Sequence, residues 1–102
     1  MIFTDDIKTA VAKTAFIPIL TFSEAGEAHL IVVGKGEPVA EDTLSFGIYK
    51  METTQKNIAS TGKAQVVLVD MENGPKGFRL TGKACVEGGK VLFKAEEVEM
   101  LL

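Results

Sequence analysis

The stretch TLSFGIYKMETTQKNI, residues 43–58, joins two kinds of sequence pattern. Its first half alternates Leu44, Phe46 and Ile48 on one face, which predicts a strand. Its second half places polar residues ahead of Ile58, and this predicts a helix of about two turns whose Ile58 faces the core. The stretch therefore predicts a strand that is followed directly by a helix.

Two interpretations of this helix start are open. In the first, Glu52 or Thr53 caps the helix, and Gln55 reaches back to the cap if Glu52 holds that position. In the second, the free amides of the first turn, the hydroxyls of Thr53 and Thr54 and the charge of Lys50 point to one place and hold a phosphate. The residues of this stretch alone fit both.

The segments before this stretch predict a helix and a hairpin. Residues 3–13 have apolar positions at helical spacing after Thr4, the expected cap, and Asp5 and Asp6 at the positive end of the helix dipole. Residues 15–33 contain two apolar runs around EAGE, which indicates a hairpin, and Pro18 indicates a free or bulged edge in its first strand. The Gly, Pro and charge content of residues 34–42 predicts a loop.

The segments after it predict three more strands. KAQVVLVD, residues 63–70, is nearly continuously apolar in its centre, which predicts a strand buried on both faces. FRLTGKACV and KVLFKAEEVEML, joined by EGG, predict a final hairpin. The chain is thus expected to be a single mainly β domain, residues 1–102, with six antiparallel strands closed into a small barrel and two short helices.

Charge and hydropathy limit the classes of partner. The net charge is -3 and both signs are interspersed, so a basic field for nucleic acid is not expected. The apolar runs are far shorter than the roughly 20 residues that span a bilayer, and acids stand where a signal peptide has basic residues, so a cytoplasmic location is expected. The mean hydropathy of +0.20 is high for a soluble chain and predicts a homodimer.

The single cysteine and the single histidine give no catalytic pattern. Cys85 has no partner for an intrachain disulfide, and a small hydrophobe in the core or at an interface is favoured over a reactive thiol. His29 lies in a predicted strand, and no spacing suggests a metal site or a nucleophilic triad around it, so a structural role is favoured.

The order of four segments resembles a known family. FIPILTFSEAGEAHLIVV, DTLSFGIYKMETTQKNI, KAQVVLVD and KGFRLTGKACV follow one another as in the FMN-binding split barrel shared by pyridoxamine 5'-phosphate oxidase and its small relatives. TTQKNI is similar to the phosphate segment and following helix of that family, with Thr54, Asn57 and Ile58 in register. The resemblance runs from about residue 14 to the C-terminus and implies a split barrel that binds FMN.

The resemblance also implies which residues hold the cofactor. Thr53 and Thr54, with Lys50, would hold the phosphate, Tyr49 would border the ring and His29 would lie at its edge or be structural. A wall for the flat ring would come from the strands, with Gly47 allowing close approach of the backbone. The expected cofactor residues are Val32, Val33, Gly47, Ile48, Tyr49, Lys50, Thr53 and Thr54.

Two departures from the family pattern define the alternatives. Thr53 and Thr54 stand where relatives place Arg-Lys or Lys-Thr, so Lys50 or Lys56 has to supply the positive charge. EGG replaces the helix that relatives have before the last strand, where substrate contacts are expected. The first hypothesis is a homodimeric FMN flavoprotein for electron transfer or flavin redox chemistry. The others are a split-barrel dimer without flavin that serves as a scaffold, and an FMN-dependent oxidoreductase that works with a redox partner protein.

Overall fold

The computed structural model of the protein describes residues 3–14, 16–48, 51–70 and 75–101. Two helices, α1 and α2, span Asp5–Lys13 and Glu52–Thr61. Seven strands complete the order, namely β1 (Ile17–Phe22), β2 (Ala28–Val33), β3 (Gly36–Ala40), β4 (Thr43–Gly47), β5 (Lys63–Asp70), β6 (Lys76–Glu87) and β7 (Lys90–Met100). Tyr49 and Lys50, both expected at the cofactor, lie outside the described residues.

All seven strands belong to one antiparallel sheet in the order β2-β1-β5-β6-β7-β4-β3. The two edge strands, β2 and β3, are separated in sequence only by Gly34 and Lys35. Because an extended residue spans at most about 3.6 Å, the end of β2 and the start of β3 lie within about 11 Å of each other. The sheet therefore curls until its edges meet at this corner, and the expected mainly β split barrel with two helices is confirmed.

The described residues form seven strands rather than six, because the predicted loop at 34–42 is wrong. Residues 36–40 form β3, which pairs with β4 from Gly36 opposite Phe46 to Ala40 opposite Thr43. The register shifts between Pro38 and Ala40, and four of the five residues of β3 are exposed. Edge strands avoid pairing with other chains by means of proline, charged residues and irregular pairing. Since these residues are also common in loops, the sequence of β3 resembles that of a loop.

The helix at the N-terminus agrees with its prediction. The Ile7 amide donates to the Thr4 hydroxyl over 3.4 Å, and Asp5 and Asp6 occupy the first turn. Ile7, Ala10 and Val11 are buried in the same apolar cluster as the inward side chains of the strands. Amphipathic spacing and a side-chain cap were sufficient to place α1.

Burial along β5 and β1 refines two predictions. In β5, Ala64, Val66, Leu68 and Asp70 are buried, but the residues between them are half-buried, so the strand is not fully buried on both faces as predicted. In β1, the ladder with β5 begins at Ile19, one residue after Pro18. Pro18 therefore has no pairing partner on that side, as the sequence indicated.

A β-bulge shapes the pairing of the two longest strands. Thr81 pairs with Glu97 but Gly82 pairs with Ala95, so Glu96 is the extra residue in β7. A Cβ atom placed on Gly82 would lie 1.9 Å from the carbonyl oxygen of Lys94. The backbones approach here so closely that only glycine fits.

Cys85 is exposed because its own strand, β6, carries no extra residue. Leu80, Gly82 and Ala84 are buried and alternate regularly along β6, because the irregularity lies in β7. Cys85 therefore points away from the core, so the core alternative of its prediction is wrong, and the interface alternative stays a prediction. None of the helices that the structure describes is long and apolar enough to cross a membrane.

Candidate functional site

The start of α2 has no side-chain cap. Met51 occupies the N-cap position, and its buried side chain makes no capping hydrogen bond, while Glu52 and Thr53 lie inside the first turn. The predicted capping by Glu52 or Thr53 is therefore wrong. The first helical bond runs from the Gln55 amide to the Met51 carbonyl over 2.8 Å, and amides ahead of it have no acceptor within the helix.

The two adjacent threonines have different surroundings. Thr53 is exposed, whereas Thr54 is 1% exposed. The Thr54 hydroxyl is the buried side-chain oxygen that has no hydrogen-bond partner among the described residues. A buried polar group without a partner costs on the order of 1–3 kcal/mol, so this hydroxyl is a place where a partner would stabilise the fold.

A cleft of about 280 Å³ opens between the β1–β2 hairpin and the first two turns of α2. We call it the α2 cleft. Thr53, Lys56 and Asn57 reach it from the helix because residues three and four apart share one helix face. The hairpin supplies the other wall, with Ser23, Glu27, Ala28 and His29.

The charges in the α2 cleft are mixed. The Lys56 ammonium forms no ion pair with any described residue, and His29 lies on the opposite wall. Glu27 is the one carboxylate of the lining. An anion is favoured here by the unpaired Lys56 ammonium, the Thr53 hydroxyl and the positive end of the helix dipole. The Glu27 carboxylate opposes an anion.

One buried and one partly buried hydrogen bond hold α2 against β1. The Asn57 amide nitrogen donates to the Thr21 hydroxyl over 3.1 Å, and both residues are buried. One turn further, the Thr61 hydroxyl donates to the Phe22 carbonyl over 3.1 Å. These contacts fix the helix beside the hairpin, so the two walls of the α2 cleft keep their spacing.

The strand residues expected to contact the flavin are distributed over two strands. Val32 is exposed on β2, while Val33 is half-buried and packs against the core. Gly47 ends β4, and an added Cβ there would meet no atom within 4 Å. Ile48 packs against the core as well.

Strand pairing does not bring these residues together, since β2 and β4 are not neighbours in the sheet. Among the expected cofactor residues that the structure describes, Thr53 alone lines the α2 cleft. Asn57 was not expected at the ligand, whereas Lys56 was expected only as an alternative to Lys50 for the positive charge, and His29 as structural or at the edge of the ring. The spacing of Thr53, Lys56 and Asn57 was the signal for the helix residues, and only the tertiary packing brings His29 to them.

Solved structures of other proteins have an architecture similar to that of this chain. A candidate pyridoxamine 5'-phosphate oxidase from Lactobacillus delbrueckii matches with a TM-score of 0.81 and 14% identity, over 95% of this chain and 93% of its own. An FMN-binding protein from Syntrophomonas wolfei matches with a TM-score of 0.76 and 16% identity, over 93% of this chain and 85% of its own.

The chain has the fold of the FMN-binding split-barrel family. HutZ, the heme storage protein of Vibrio cholerae, shares this split barrel with a TM-score of 0.69 and 10% identity, over 98% of this chain and 95% of its own. No family model matches the sequence, and no curated protein matches it. The split barrel is thus established by structure, and its ligand has to be argued from the residues.

Proposed function

We propose that this split barrel binds FMN as a homodimer, with the phosphate in the α2 cleft, and that it serves electron transfer or other flavin redox chemistry. The observation that carries the proposal is the uncapped start of α2 beside the unpaired Lys56. Proteins of the same fold include an FMN-binding protein, which supports this choice of anion.

The residues of the α2 cleft fit a phosphate group. The Thr53 hydroxyl and the first-turn amides are neutral donors, and the Lys56 ammonium adds a charge-assisted bond that is about twice as strong as a neutral one. Lys56 therefore replaces the cation that the family places at residue 53 or 54. Asn57, bonded to Thr21, positions this helix face without needing to touch the ligand.

The ring would extend from the cleft along an apolar surface. The open space over Gly47 permits close approach of a flat ring, and a contact with Val32 stays a prediction. Val33, Ile48, Tyr49 and Lys50 stay predicted contacts. Bound FMN supplies one- or two-electron transfer, and the protein holds the phosphate and limits access of water.

The homodimer is supported by an apolar face on the outside of β1 and β2. Leu30 and Val32 are 62% and 59% exposed and lie side by side on β2. Their cross-strand partners are Leu20 and Pro18, so the four side chains form one continuous surface. Contiguous apolar surface of this kind is typical of protein interfaces.

The cytoplasmic location expected from the sequence stays a prediction.

FMN titration tests the proposed function. We expect the purified protein to be yellow or to bind added FMN, with the flavin fluorescence changing until about one FMN per chain is bound. The measurement is the flavin absorbance and fluorescence during titration. A colourless protein whose addition leaves the FMN signal unchanged would instead support the scaffold hypothesis.

The variant Thr54→Val asks whether the buried hydroxyl takes part in binding. Valine keeps the shape and removes the unpartnered oxygen, so the free protein should be equally stable or more stable. If the hydroxyl donates to the phosphate, FMN binding weakens by on the order of 1 kcal/mol, about fivefold in Kd. Equal FMN affinity in both proteins would restrict Thr54 to the interior.

Heme is a second candidate ligand, favoured by one observation. His29, the only histidine of the chain, lies on the α2 cleft, and HutZ has the same fold. Imidazole is an axial ligand of heme iron. Titration with hemin distinguishes the two, because a heme complex shows a sharp Soret band that His29→Ala shifts towards the spectrum of free hemin, whereas an FMN complex shows the flavin bands.

The dimer proposal predicts a monomer when the apolar face is charged. Leu30→Lys places an ammonium in the centre of this face and should shift the protein from dimer to monomer in sedimentation velocity. Val39→Lys is the matched control, since Val39 is 56% exposed on β3, away from that face. Dimers that persist in Leu30→Lys, or dissociate equally in the control, would contradict this interface.

A further inference from the structure

Two lysines face each other on the outer surface of the barrel, at the opposite end of α2 from the α2 cleft. Lys63 begins β5 directly after Gly62, the C-cap of α2, and its pairing partner on β6 is Lys83. Directly opposed residues of an antiparallel pair have their Cβ atoms about 4.5–5.5 Å apart, and like charges there are destabilising.

No described residue neutralises this pair. The row continues to Lys94 on β7, but the Lys94 ammonium lies 3.8 Å from the carboxylate of Asp42. Neither Lys63 nor Lys83 forms an ion pair in the described part of the chain. The protein has a net charge of -3, so an excess of basic residues does not explain the juxtaposition.

The opposed lysines flank a cleft of about 320 Å³ with other groups suited to a ligand. We call it the lysine cleft. Phe22 lies at one side of it as a half-buried aromatic ring, and Gln65 and Thr81, another cross-strand pair, supply an amide and a hydroxyl. Glu96, the bulge residue of β7, also reaches the lysine cleft and opposes an anion. It shares no lining residue with the α2 cleft.

We infer that the lysine cleft binds a nucleoside monophosphate. Two ammonium groups match the charge of one phosphate group. A phenyl ring offers an aromatic base a stacking or edge contact, and an amide with a hydroxyl can hydrogen-bond to the polar edge of a base or to a ribose. The volume lies at the lower end of ligand sites, so one nucleotide fits better than a larger molecule.

The test is a titration of the isotopically labelled full chain with AMP, followed by amide NMR shifts. We expect the largest shifts at residues 63–65 and 81–83, with residues 53–57 unaffected. Lys63→Gln with Lys83→Gln should weaken AMP binding by at least roughly tenfold, since two charge-assisted contacts are lost. Lys35→Gln with Lys90→Gln is the matched control, because it removes the same charge from two other exposed lysines and should bind AMP normally.

Inorganic phosphate and a second variant test separately the two lysines, which would bind the phosphate group, and Phe22, which would contact the base. Phe22→Leu should weaken AMP more than inorganic phosphate, with thermal unfolding confirming that the variant is folded. The inference is overturned if AMP produces no shifts, if the control loses as much affinity as the lysine variant, or if phosphate alone binds as tightly as AMP. If FMN at equal concentration displaces AMP, the two ligands share one site, and the inference of a separate nucleotide site in the lysine cleft is overturned as well. Failure of FMN to bind leaves the AMP result unaffected.

Discussion

Replacing Gly82 with alanine should prevent the barrel from folding or lower its free energy of unfolding by about 3 kcal/mol or more. The new Cβ would lie 1.9 Å from the Lys94 carbonyl oxygen and 3.0 Å from the Cα of Ala95. Both are backbone atoms of β7, which is paired with β6 and β4 and cannot move aside without breaking a ladder. Stability of small domains is about 5–15 kcal/mol, so this loss is a large part of the total.

Urea unfolding measures this effect, and Gly34→Ala is the matched control. An added Cβ on Gly34 meets no atom within 4 Å, so the same change in chemistry should leave the unfolding midpoint nearly constant. Recovery of Gly82→Ala only from the insoluble fraction agrees with the expectation. A soluble Gly82→Ala protein with the midpoint of the parent would show that β6 and β7 do not approach as described.

Reversing the charge of Lys56 should have the largest effect on FMN binding. Lys56→Glu removes the unpaired cation of the α2 cleft and leaves two carboxylates, Glu27 and the new one, facing the phosphate. Loss of a charged hydrogen bond costs about 1.5–3 kcal/mol and repulsion adds to it, so we expect the Kd for FMN to rise about 100-fold. Fluorescence titration with FMN measures the change, and Lys56 is exposed, so the fold should be unaffected.

Lys90→Glu controls for the overall change of charge. Lys90 is exposed where β7 begins and lines neither of the two clefts, so the net charge changes by the same amount without touching the phosphate site. We expect at most a severalfold decrease in FMN affinity at low salt, which added salt should remove. Equal losses in both variants would assign the effect to the general field of the protein and move the phosphate away from the α2 cleft.

The fold could be predicted where local patterns agree with the tertiary structure. Thr4 with two following acids gave α1, alternation gave β4, and apolar runs on either side of the glycine-containing segments EAGE and EGG gave the two hairpins. The prediction missed β3 because Pro38 and its exposed neighbours reflect the needs of a sheet edge, which local composition does not separate from a loop. The outward position of Cys85 depends on which of two paired strands carries the bulge, and a single strand's sequence does not contain that information.

The candidate site was predictable only on the helix side. The spacing of Thr53, Lys56 and Asn57 is local, so the sequence could indicate one polar helix face. The opposite wall, with His29, comes from a hairpin more than 20 residues earlier, and its approach depends on the Asn57–Thr21 contact. The absence of a cap was also hidden, because helix boundaries shift by one residue without a visible change in pattern.

The order of strands has a consequence for the kinetics of folding. β1 pairs with β5 and β4 pairs with β7, so residues 19 and 66, or 43 and 94, must meet before the sheet is complete. Such non-local pairing implies a high contact order and slow folding. The α2 cleft lies against β1, so it exists only once these distant segments have come together. A ligand held there binds the native state alone, and it would raise the fraction of folded chains by mass action.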